Sequence, residues 1–99
     1  MSIVFYVDAI EITNKLKQAQ GQQDAEKIIV NKINKMILEG KNDEAIILYL
    51  KKLLAWLENK IAANQFNTER TNYRHAAGFI DILLKMPNRK RWKKIIDEW

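Results

Sequence analysis

The sequence predicts an all-α fold, a small bundle or helix-pair stack of four to five antiparallel helices, and three observations predict it. Apolar residues recur with a period near 3.6 over almost the whole chain. One proline and three glycines are the strong breakers, and we read each as falling where an apolar period stops. The one β-like stretch, Ile3-Val4-Phe5-Tyr6-Val7, has no partner strand elsewhere, so it reads as helix despite its branched and aromatic residues.

The first helix, from about residue 3 to 20, carries Phe5, Ala9, Ile12, Leu16 and Ala19 on one face and stops at Gln20-Gly21-Gln22-Gln23. Asp24 is the expected cap of the second, whose inward residues are Ala25, Ile28, Ile29, Ile33, Met36 and Ile37. Lys27, Asn31, Asn34 and Lys35 mark its outer side, and Gly40 supplies a left-handed stop. Asn42 caps the third helix, with Asp43 and Glu44 in a first turn where negative charge complements the helix dipole. Its main stripe is Ile46, Leu50, Leu53, Leu54, Leu57 and Ile61, and Ala45, Tyr49 and Trp56 form a second stripe beside it. A helix apolar over most of its circumference is surrounded by others, so the third is expected to be the central element.

Asn64-Gln65-Phe66-Asn67 reads as a loop and Thr68 as a cap. Tyr73, Ala76, Ala77, Ile80, Leu83 and Leu84 form the inward face of a fourth helix, which Pro87 ends. From Asn88 a short fifth helix places Trp92, Ile95, Ile96 and Trp99 on one stripe.

At 99 residues the chain is expected to form one domain, 1–99, with 47% hydrophobic and 29% charged residues arguing for a packed core rather than a disordered tail. The absence of cysteine excludes disulfides, thiolate zinc sites, iron–sulfur clusters and cysteine nucleophiles, and His75 is the only imidazole. The adjacent pairs Asp43-Glu44 and Asp97-Glu98 point to different sides of a helix, so no metal site is expected. There is no glycine-rich phosphate loop, serine elbow or dinucleotide fingerprint, and no cofactor is expected. The longest apolar run, Ala45–Leu50, is far shorter than the roughly 20 residues that span a bilayer. With no basic region before the first apolar stretch, no signal peptide is read and the expected location is cytoplasmic.

Charge is unevenly placed. Residues 1–49 are close to neutral, so the net charge of +5 belongs to the second half. Lys85, Arg89, Lys90, Arg91, Lys93 and Lys94 fall in a stretch without an acid, mostly in the first turns of the fifth helix, where positive charge opposes the macrodipole. Phosphates of RNA or DNA reverse that cost, which makes the cluster a candidate for non-specific nucleic-acid contact; the plain alternative is a solvated face. Trp92, within the basic run, and Trp99 fall on the apolar stripe and read as core rather than as base-stacking platforms. Trp99 either packs beside Trp56 in the core or anchors a second copy or a protein partner, since tryptophan is enriched at interface hot spots.

The segment Glu39-Gly40-Lys41-Asn42-Asp43-Glu44-Ala45-Ile46 with Tyr49, and later Tyr73-Arg74-His75-Ala76-Ala77, resembles the small-residue helix contacts of tetratricopeptide-like repeats over about residues 24–99. It is also similar to the helical region that follows the zinc finger in SWIM-type proteins. That resemblance implies a protein-binding scaffold. Separately, Arg70-Thr71-Asn72-Tyr73-Arg74-His75 resembles the R-x4-H signature of HEPN-type ribonucleases, in which the arginine and histidine act on RNA across a dimer. The resemblance carries those roles onto Arg70 and His75; the plain reading of His75 is a partly buried structural histidine. The reading adopted is a non-enzymatic helical interaction module acting on protein partners or on itself. Nucleic-acid binding through residues 85–94 is the first rival and RNA cleavage the second.

Overall fold

The structure, a computed structural model, describes residues 3–63 and 68–86. Four helices account for nearly all of them: α1 (Ile3–Lys17), α2 (Gln22–Leu38), α3 (Asp43–Ala63) and α4 (Thr68–Lys85). There is no strand among the described residues, and Ile3–Val7 is helical. Residues 64–67, Pro87 and the fifth helix expected from Asn88 lie outside the described residues.

Local chemistry explains each boundary. In α1, Phe5, Ala9, Ile12 and Leu16 are buried as the spacing requires, and Ala19 is buried just beyond the helix end. Thr13 is buried with them because its hydroxyl donates to the carbonyls of Ala9 at 3.0 Å and Ile10 at 2.9 Å, which satisfies the polar atom inside the helix. At α2 the expected cap is corrected: Gly21, at φ +115°, precedes the helix, and Asp24 sits within the first turn. The Asp24 carboxylate reaches back instead, accepting the Gln20 N–H at 3.0 Å. The helix ends on Gly40 at φ +82°, with Gly40 N–H donating to Ile37 and Lys41 N–H to Met36, both at 3.0 Å. That pair of bonds is a Schellman motif. Asn42 caps α3 as read from the sequence, its side-chain oxygen accepting the Ala45 N–H at 2.9 Å. Thr68 is already the first residue of α4. Gly78 breaks nothing: it lies in mid-α4 on the exposed side, contrary to its reading as punctuation.

The packing order also corrects the sequence. The central helix is α4, which packs on α3, α2 and α1, whereas α3 packs on α4 and more lightly on α1. The reason lies in the width of the buried face. At about 100° per residue, the fully buried Ile46, Leu50, Leu53 and Leu57 of α3 fall within a seam of about 60°. On α4 the buried Asn72, Tyr73, Ala76, Ala77, Ile80 and Leu83 spread over about 140°, the arc needed to face three neighbours. The two alanines let those neighbours approach closely. The second apolar stripe of α3 is instead covered in part by α1, where Phe5 meets Tyr49 and Trp56 edge-on at ring separations of 5.7 and 6.5 Å. The Cα radius of gyration is 12.9 Å, against about 13 Å for a compact chain of this length.

Candidate functional site

The residues singled out from the sequence do not gather into one site among the described residues. Lys85 stands exposed at the end of α4 with its ammonium 2.8 Å from the Asp81 carboxylate, an ordinary surface pair one turn apart. Arg89, Lys90, Arg91, Lys93 and Lys94, with Trp92 and Trp99, lie outside the described residues.

Arg70 and His75 are both half-buried on α4. Five positions on one helix put them about 140° apart around its axis, so they do not converge within one chain. Of the residues between them, Asn72 and Tyr73 serve the core, while Thr71 and Arg74 are exposed. Tyr73 is buried, and burial, with Glu69 adding to it, raises the pKa of its hydroxyl. Asn72, like Thr13, is a buried polar residue that the sequence reading missed. Its amide nitrogen donates to the carbonyls of Leu16 at 2.8 Å and Ala19 at 2.9 Å, at and just beyond the C-terminal end of α1. The signal was present in the spacing: Asn72 continues the Ala76, Ile80, Leu83 stripe one turn earlier, where only a fully bonded polar side chain is tolerated.

Two features stand out on the surface instead. The first is the outer side of α1. Ile3, Val7 and Ile10 follow one another at i, i+4 and i+7, and they are 80%, 57% and 49% exposed, with Val4 and Tyr6 also exposed beside them. The helix is therefore apolar on two faces over its first turns, and only the Phe5–Leu16 face is used by the core. A run of five apolar residues on a helix cannot all turn inward, which is the mark this surface leaves in the sequence.

The second is a cleft of about 570 Å³ walled by α1, α2 and α3, in the gap left because α2 and α3 make little direct contact. Its apolar lining includes Phe5, Met36, Leu48 and Tyr49, and its polar lining is Lys32, Lys35, Lys41 and Lys52 against Asp8 and Glu39. Lys32 and Asp8 tie α2 to α1, nitrogen to oxygen 3.1 Å, with Lys32 also 5.2 Å from the centre of the Tyr49 ring. The Tyr49 hydroxyl is buried without a hydrogen-bond partner, and burial, with Asp8 and Glu11 adding to it, pushes its pKa well above the ordinary tyrosine value. Beyond Phe5 and Lys52, which line both, a second cleft of about 420 Å³ runs past Tyr6, Ala55 and Trp56. Lys60 covers the Trp56 ring at 4.8 Å, and Tyr6 meets the same ring edge-on at 5.9 Å.

No group of three or more carboxylates and imidazoles is placed to hold a metal ion among the described residues. No helix there is long and apolar enough to cross a membrane. Comparison with protein-family models, curated proteins and solved structures finds no match to this chain.

Proposed function

We propose that this chain is a non-enzymatic helical interaction module whose contact element is the outer face of α1, and that the face pairs with a second copy of the chain. The observation that carries the reading is the doubled apolar character of α1: the Ile3, Val7, Ile10 stripe stays in water while the opposite stripe fills the core. Isolated exposed apolar residues need no explanation, but a helical stripe of them is the form of a helix–helix contact. A stripe along one helix is also self-complementary across a two-fold axis, the commonest symmetry of small assemblies. We take consecutive helices to run antiparallel, which the short connections at residues 18–21 and 39–42 favour. The tetratricopeptide-like resemblance of residues 24–99 points to the same class of function.

Nucleic-acid contact through residues 85–94 and RNA cleavage by Arg70 and His75 gain no support from the described residues. Among the described residues the half-buried Trp56 ring is not a free stacking platform either, since it is held by Phe5, Tyr6 and Lys60.

Sedimentation equilibrium over a roughly hundredfold range of concentration tests the reading. The wild-type chain should approach twice its monomer mass, and Val7→Lys with Ile10→Lys should return it to monomer with unchanged helicity. A wild-type chain that stays monomeric throughout contradicts the pairing.

A further inference from the structure

The cleft between α1, α2 and α3 has a chemistry separate from the outer stripe of α1. Its volume, about 570 Å³, lies within the roughly 300–1,000 Å³ typical of small-ligand sites. Its lining is apolar at Phe5, Leu48 and Tyr49, and Met36 adds an adaptable, polarisable thioether.

The charge around this lining is one-sided. Asp8 is already engaged by Lys32, which leaves Glu39 as the remaining carboxylate. Lys35, Lys41 and Lys52 form no ion pair among the described residues. Lys35 and Lys41 flank the C-terminal end of α2, where a cation offsets the negative end of the helix dipole, so part of their role is structural. Lys52 has no such role. It is half-buried midway along α3, held beside apolar surface where an unpaired ammonium gains little from the protein itself. A cationic ligand meets repulsion here, and a neutral one leaves the ammonium groups unanswered.

We propose that this cleft binds a small amphiphilic anion, with an apolar body against Phe5, Leu48 and Tyr49 and a carboxylate, sulfonate or phosphate head group met by Lys35, Lys41 and Lys52. The head group supplies the charge-assisted hydrogen bonds that the three ammonium groups lack, and the body removes the exposed Leu48 side chain from water. This site uses none of Ile3, Val7 and Ile10, although Val4 beside them also lines it, so the lysine variants test the cleft and Val7→Lys with Ile10→Lys tests α1 pairing separately.

The test is an amide NMR titration of the full chain with naphthalene sulfonate, repeated with the neutral naphthalenemethanol, with naphthylmethylammonium and with inorganic sulfate. The sulfonate should produce saturable shifts at Met36, Ala45 and Leu48, readable even at a Kd of about 1 mM. The neutral and cationic probes and the bare sulfate should each bind at least about tenfold more weakly. Replacing Lys35, Lys41 and Lys52 together by glutamine should weaken the sulfonate by at least about tenfold, while Lys27→Gln, exposed on α2 away from the cleft, should leave it unchanged. All four lysines are exposed or half-buried and free of ion pairs, so these variants should keep their helicity, which circular dichroism checks. The proposal is overturned by shifts that map to Ile3, Val7 and Ile10 instead, by equal binding of the neutral probe, by unchanged affinity in the triple variant, or by no saturable shift.

Discussion

Replacing Asn72 by alanine removes two buried hydrogen bonds at once, those its amide nitrogen makes to the Leu16 and Ala19 carbonyls at 2.8 and 2.9 Å. The two acceptors differ. Leu16 keeps a bond from the Ala19 N–H at 3.1 Å, so its loss is close to that of an ordinary hydrogen bond, about 1 kcal/mol. The Ala19 carbonyl depends on Asn72, and leaving a buried acceptor unsatisfied costs about 1–3 kcal/mol. Together the substitution should cost about 3 kcal/mol, a large share of the roughly 5–15 kcal/mol that holds a typical domain together. For a chain of this size, that corresponds to a fall in Tm of about 12–24 °C. Asn72→Asp keeps the shape but turns the donor into an acceptor facing two carbonyl oxygens, so at neutral pH it should be worse than alanine and should recover partly on acidification. Urea unfolding followed by tryptophan fluorescence measures both, with the slope m as the check that the same transition is compared. A loss below about 0.5 kcal/mol in Asn72→Ala, the range of ordinary surface changes, refutes the reasoning that this side chain closes the end of α1.

Other substitutions test the remaining parts of the account. Gly40→Ala forces a side chain into the left-handed region at φ +82° and should cost about 1 kcal/mol, although nothing crowds the new methyl group. Gly78→Ala, in mid-helix with open space around it, should have the opposite sign and stabilise by about 0.5–1 kcal/mol; urea unfolding of the pair reads both. Tyr49 holds its proton more tightly folded than unfolded, so above pH about 10 the unfolded state loses that proton first and stability falls as pH rises. Tyr49→Phe should flatten that alkaline decline and remove a late-ionising component from the tyrosinate absorbance titration. The exposed substitutions Val7→Lys and Ile10→Lys should each change monomer stability by no more than about 0.5 kcal/mol in the same urea assay.

The inner faces of the helices were legible in the sequence because burial there follows the helical period. Phe5, Ala9, Ile12 and Leu16 on α1, and Ile46, Leu50, Leu53 and Leu57 on α3, are buried in the order their spacing demands. So were the Gly40 stop and the Asn42 cap, both set by chemistry within a few residues. Which helix takes the centre was not. That depends on how wide a face each helix has covered, and the apolar breadth of α3 pointed to the wrong one because part of it borders clefts and solvent. Asn72 escaped notice for a related reason: its partners are the carbonyls of Leu16 and Ala19, far away in sequence, and nothing local announces a bond between helices. Gly78 was misread because an exposed helical glycine looks the same in sequence as a breaker. The cleft lysines were invisible as a set. Lys35, Lys41 and Lys52 sit on different segments, the first two in the near-neutral half of the chain and Lys52 beyond it, and only the separation of α2 from α3 brings them to one opening.

Self-association of the chain turns on whether α1 meets a second α1 through its outer face. The chain has no cysteine, so single cysteines placed at Ile3→Cys, Val7→Cys and Ile10→Cys report that contact by forming a disulfide between copies, which requires Cα atoms within about 7 Å. Asn59→Cys and Gly78→Cys, exposed on α3 and α4, serve as controls. Under mild oxidation, covalent dimer should form at one or more of the three α1 positions and not at the controls. Equal cross-linking at α1 and control positions, or none at α1, contradicts the pairing of this face.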